Sequence, residues 1–181
     1  MISIKFTAPL LIGLLIWGCV KDKKQADNVS QPGTVQEVIS AFETKAEKYE
    51  KPANKAVQLV IESMGDNPEE LKNKDLQHLR GLAKQAQKSC LEAADAFKEF
   101  GVNLPKSLPD TIEYSMLAVS AFMYDAYLGR ADAMLSAERL FSDSLEYHIK
   151  DISNKLKSAM QLSDRAAAGL RAIKKMAAEK S

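Results

Sequence analysis

From Val35 onward, apolar side chains return every three or four residues, the spacing that gathers them on one face of an α-helix. The first stripe runs through Val35, Val38, Ile39, Phe42, Ala46, Tyr49, Ala53, Ala56, Val57, Val60, Ile61 and Met64. Thr34-Val35-Gln36-Glu37 reads as a capping box ahead of it, hydroxyl and carboxylate each satisfying an amide that a helix start leaves unpaired. Pro52 falls inside the stripe without changing its phase, which predicts one kinked helix or two nearly collinear ones. Gly65 supplies a left-handed stop. Asn67-Pro68-Glu69-Glu70 then offers a cap, a first-turn proline and first-turn acids for a second helix. Its start is ambiguous around Asn73 to Leu76. Its stripe is Leu71, Leu79, Leu82, Ala83, Ala86, Cys90, Ala93, Ala94, Phe97 and Phe100, and Gly101 marks its end.

Ser107-Leu108-Pro109-Asp110 opens a third periodic run through Ile112, Met116, Val119, Phe122, Met123, Ala126 and Tyr127, with Gly129 as a candidate terminus. From Arg130 to Lys180 there is no proline. Leu145, Ile149, Ile152, Leu156, Ala159, Ser163, Ala166, Leu170, Ile173 and Ala177 step by four and three, the a/d seam of a heptad repeat. Met134, Leu135, Leu140 and Phe141 follow another phase, so a break is expected between Ser142 and Ser144. No segment shows the strict alternation of a strand. The fold predicted is all-α: an antiparallel bundle of four to six helices with a long C-terminal helix, approached closely by a neighbour along the Ala-rich residues 159–168.

The amino terminus follows a different pattern. Lys5 precedes an uncharged, mostly aliphatic run from Phe6 to Trp17, and charge returns at Lys21 to Lys24. The run is shorter than the roughly 20 residues that span a bilayer, and has the shape of a secretory signal. Ile16-Trp17-Gly18-Cys19 resembles the lipobox of bacterial lipoproteins, with Gly18 the small residue before the cysteine and Trp17 larger than that position usually holds. The resemblance is confined to these residues and implies cleavage between Gly18 and Cys19, with Cys19 lipidated and first in the mature chain. Acyl chains on Cys19 anchor a protein stably when there are two or more. Residues 1–18 are thus expected as the signal peptide and 19–33, polar and poor in apolar side chains, as a flexible tether. Residues 34–181 form a single domain. The expected location is the cell envelope, facing the periplasm from the outer membrane if the cell is Gram-negative.

Charge removes one class of partner. The chain has 25 basic and 24 acidic residues, and the signal carries only Lys5, so the mature part is balanced. Nucleic-acid binding, which needs a basic surface, is not expected. The basic cluster Arg171, Lys174, Lys175 and Lys180 suits the end of a helix. A hydrophobic content of 46% fits a globular core rather than a disordered chain. With Cys19 acylated, Cys90 has no partner in the chain and is expected to be buried.

Catalytic signals are sparse. Asp75 and His78 are one helical turn apart, but the inward Glu-x-x-His unit of dimetal bundles occurs twice, and His148 has Leu145 at the matching place. His148, with Asp151 one turn on, is expected next to the seam as a flanking or solvated group. Met64, Met116, Met123, Met134 and Met160 are expected as core filler rather than ligands. There is no nucleophile elbow, phosphate loop or haem-attachment motif. No enzyme activity, metal or cofactor is therefore expected. Tyr114, Tyr124 and Tyr127, followed by Arg130, offer rings with polar tips suited to a protein interface.

Two functions remain open at this stage. One is a membrane-tethered, non-catalytic lipoprotein that binds another envelope protein, as an assembly factor, secretion accessory or toxin antagonist. The other is a bundle holding a cofactor, metal or small apolar ligand between its helices, with Ser163 as the clear polar group on the last seam. The heptad seam also allows a homodimer.

Overall fold

A computed structural model of the chain describes residues 33–65, 71, 74–143 and 147–179, and those residues form four helices packed on one another, with no strand. These are α1 (Val35–Met64), α2 (Leu76–Val102), α3 (Asp110–Asp143) and α4 (Tyr147–Ala178). None of them is long and apolar enough to cross a membrane.

The helix ends follow from local chemistry. At α1 the capping box is complete: Thr34 Oγ1 accepts from the Glu37 amide, and the Glu37 carboxylate accepts from the amides of Thr34 and Gly33. Those amides hold the Glu37 carboxyl below its ordinary pKa. Pro52 lies inside α1, which continues through it as one helix. Gly65 follows with φ 75°, a conformation that L side chains rarely adopt, but its ψ of 179° is extended rather than left-handed helical. Asp75 caps α2 through the His78 amide, so this pair serves the helix start and leaves the imidazole exposed. The expected restart at Asn67-Pro68 lies outside the described residues. α2 ends one residue beyond Gly101, where Asn103 returns its amide to the Glu99 carbonyl. At α3 the Pro109 carbonyl accepts the amides of Ile112 and Glu113, while the Ser107 hydroxyl reaches the Gly33 carbonyl.

Gly129 does not end α3. The helix runs fourteen residues further, because this glycine serves packing: a methyl group there would stand 3.3 Å from the Ala159 Cβ. Similar close approaches recur along α3. A Cβ at Gly101 of α2 would lie 3.2 Å from the Ser120 Cβ, and one at Gly169 of α4 would lie 2.8 Å from Val119 Cγ2. Small residues thus bring α2 and α4 tightly against α3, and the Ala-rich part of α4 sits in that contact as its sequence implied.

The core is continuous. Phe42 of α1 meets Phe97 and Phe100 of α2 at ring distances of 5.4 and 5.3 Å, and Phe97 stacks on Tyr127 of α3 at 5.8 Å. From α3 and α4, Met116, Val119, Met134, Leu170 and Ile173 are fully buried. The seam of α4 is buried at Ile149, Ile152, Ala159, Ala166, Leu170 and Ile173. The helices do not all pair equally. α3 lies between α2 and α4 along most of its length, α1 rests on α2, and α1 touches α3 and α4 only sparsely.

Candidate functional site

Three features of the described residues could carry function: a polar cluster in the interior, an ionic clasp between α3 and α4, and an apolar outer face on α2 and α3.

The interior cluster sits where α1, α3 and α4 converge. Tyr127 is 0% exposed, and its hydroxyl donates to Asn54 Oδ1 at 3.2 Å. Asn54 in turn points an amide hydrogen at Glu50 Oε1. The Arg130 guanidinium, 6% exposed, lies 4.7 Å from the centre of the Tyr127 ring and donates to Ser163 Oγ at 3.1 Å. Loss of hydration raises the Glu50 carboxyl above its ordinary pKa, and the Arg130 charge only partly opposes it. Burial, then the Glu50 charge, raises the Tyr127 phenol. Cys90 is fully buried on α2, and desolvation pushes its thiol up to about 12, against the pull of Arg130. A thiol so protonated is a poor nucleophile. The cluster consists of groups that satisfy one another.

The clasp joins α3 to α4. Lys155 Nζ lies 3.0 Å from Asp132 and 2.7 Å from Asp151, and donates to Ser136 Oγ at 2.9 Å. The Ser136 hydroxyl donates to the Asp151 carboxylate. Lys155 loses hydration, but its bonds to Asp151 and Asp132 outweigh that loss and hold the ammonium above its usual pKa. The bonds from Lys155 and Ser136, with a smaller effect from nearby His148, hold Asp151 low. Serine beside lysine can form a nucleophile and its base, but that chemistry needs a neutral amine and an open hydroxyl. Here the amine is held as a cation and Ser136 is buried. The arrangement fastens two helices. His148, expected as a flanking or solvated group, is buried at the start of α4, one turn from Asp151.

The outer face is the exposed part of α3 and the adjoining end of α2. Tyr114 is 73% exposed, Val102 76% and Leu117 40%. Tyr114 and Leu117 are one turn apart, and Leu117 reaches to within 3.9 Å of where a Gly101 Cβ would stand, beside Val102. Further along, Leu91 of α2 with Leu128, Ala131 and Leu135 of α3 lines an open groove of about 460 Å³.

The predicted interface residues separate. Tyr114 stands in solvent and Tyr124 is half-buried under Lys98, whose Nζ is 5.8 Å from the ring. Tyr127 and Arg130 are core residues and present no surface to a partner in the folded domain. One helical turn from Tyr124 to Tyr127 was enough to move from the boundary to the interior. Gly18 and Cys19 lie outside the described residues. Sequence reasoning passed over Glu50 and Asn54, which carried no motif, and over Ser136 and Lys155. The four-residue spacing of Asp151 and Lys155 was the one available signal for the clasp.

Among the described residues no group of three or more His, Cys, Asp or Glu side chains is placed to hold a metal ion. Comparison of the chain with protein families, with curated proteins and with solved structures found no match.

Proposed function

We propose that the chain is a lipid-anchored envelope protein whose helical domain, an antiparallel four-helix bundle, binds another protein and catalyses no reaction. Pairs that join the early part of one helix to the late part of its neighbour in sequence support the antiparallel arrangement. Lys45 meets Glu99, Arg80 meets Glu138 and Ser136 meets Asp151. The anchor rests on Ile16-Trp17-Gly18-Cys19, followed by a polar stretch long enough to hold the domain off a membrane.

The observation that carries the binding role is the face formed by Val102, Tyr114 and Leu117. Single exposed apolar side chains are ordinary, but three large ones together at the junction of two helices suit a protein contact. The polar groups around Tyr127 and Arg130 engage each other, which favours a surface role over a ligand held among them. The location proposed is the periplasmic side of the outer membrane in a Gram-negative cell.

Two experiments test this. Cells fed a clickable fatty acid should label the protein, and Cys19→Ala should abolish the label; label that persists contradicts the anchor. A photo-cross-linking amino acid at Tyr114 should capture a partner in intact envelopes, whereas the same group at exposed Arg171 should not. Equal capture at both positions, or at neither, contradicts the proposed face. A cross-linked second copy of the chain would identify the partner as a homodimer.

A further inference from the structure

α1 is the helix the fold holds least. Its buried stripe faces α2, through Phe42 on Phe97 and Phe100. Toward α3 and α4 it makes few approaches, and polar side chains take part in them: Glu43 pairs with Lys174, Asn54 accepts from Tyr127, and the Glu50 carboxylate faces Arg130. The opposite side of the molecule is different, since α3 meets both α2 and α4 through glycine, alanine and serine at near-contact distances.

Two local features weaken α1 further. Pro52 removes one backbone hydrogen bond of the helix at the level where Glu50 and Asn54 reach inward. Glu50 gives up hydration when α1 is docked and would recover it on release, while Arg130 would keep its bond to Ser163. Release therefore frees a carboxylate without stranding its counter-charge. α1 is also the helix joined directly to residues 19–33, the expected tether, so tension from an anchor would bear on it first.

We propose that α1 is a releasable lid: it comes away from α2, α3 and α4 while those three stay folded together, and so uncovers the interior around Cys90 and Tyr127. Cys90 reports the event. It stands two turns before Phe97 on the buried stripe of α2, and Phe97 contacts both Phe42 of α1 and Tyr127 of α3. In the closed state the thiol is fully covered.

The test is alkylation of Cys90 in the full-length chain by N-ethylmaleimide, read by mass spectrometry on the Cys90 peptide so that Cys19 does not interfere. With a lid, Cys90 reacts faster than global unfolding permits, with a shallow dependence on denaturant and no loss of helical signal. Phe42→Leu, which trims α1's contact with α2, should speed the reaction in plain buffer by about tenfold. Asp151→Asn, which weakens the clasp between α3 and α4, should leave that rate within about twofold, because the α3–α4 contact persists in the open state. Two results overturn the proposal. One is a Cys90 rate with the midpoint and slope of global unfolding. The other is equal acceleration by Phe42→Leu and Asp151→Asn.

Discussion

The contacts of α4 with α3 and of α4 with α1 join one helix to two neighbours by opposite means. Against α3, α4 brings Ala159, Ala166 and Gly169, and backbones approach until a single added methyl group at Gly169 would collide with Val119. Against α1 it brings Lys174, which pairs with Glu43, and the two helices otherwise approach at few residues. Close-packed apolar contact excludes water and is insensitive to salt, while exposed ion pairs contribute little and are screened. The same amphipathic pattern can therefore build a firm joint or a loose one. What decides is the size of the residues on the facing stripes.

The comparison breaks or sharpens at particular positions. The largest effect is expected from Leu170→Ala, which empties a fully buried place on α4. It should lower global stability by about 2–5 kcal/mol, read by denaturant unfolding of the helical signal. Gly169→Val should follow, since its Cβ would lie 2.8 Å from Val119 Cγ2 and force the tight joint apart. Overpacking of this kind costs about 1–3 kcal/mol, and a thermal scan measures it. Thr34→Ala removes the cap of α1 and should cost about 1 kcal/mol, seen as faster amide exchange in the first turns of α1 with α3 and α4 unaffected.

Acid separates the two regions by sign. Asp151, in the α3–α4 clasp, is held below its ordinary pKa. Its stabilising contribution is present above the unfolded value and is lost as pH falls through the folded one. Glu50, beneath α1, is held above its ordinary pKa, so its contribution is present in acid and is lost as pH rises through the folded value. Asp151→Asn should thus weaken the domain at neutral pH and matter little in strong acid. Glu50→Gln should leave the domain at least as stable near neutrality and flatten its slope on the alkaline side of the carboxylate range. Unfolding midpoints recorded from acid to neutral pH check both, and these effects should be smaller than those of the packing variants.

Much of the architecture was legible in the chain because it depends on local period and capping. The α1 stripe and its Thr34–Glu37 box, the Ile149–Ile173 seam of α4, the break after Ser142 and the burial of Cys90 all follow from residues near one another in sequence. The site-level detail was not, because it depends on which faces meet. Gly129 reads as a stop until Ala159 is seen against it. Tyr127 reads both as part of the apolar stripe and as a candidate interface residue, and Arg130 as an interface residue, until Asn54 and Ser163, far away in sequence, supply their hydrogen-bond partners. His148 reads as a flanking or solvated group, and only the fold shows it buried at the start of α4. Ser163 was the exception, a polar residue on an apolar seam whose partner could be anticipated though not named.

The central claim is that α2, α3 and α4 form one cooperative unit to which α1 is fastened separately. Native-state hydrogen exchange of the full-length chain, resolved by peptide across a series of low denaturant concentrations, tests it most directly. The account predicts that α1 amides exchange through an opening of lower free energy and smaller denaturant slope than those of α3 and α4, with the two groups merging only near the global midpoint. A single shared free energy and slope for all four helices at every concentration would contradict it.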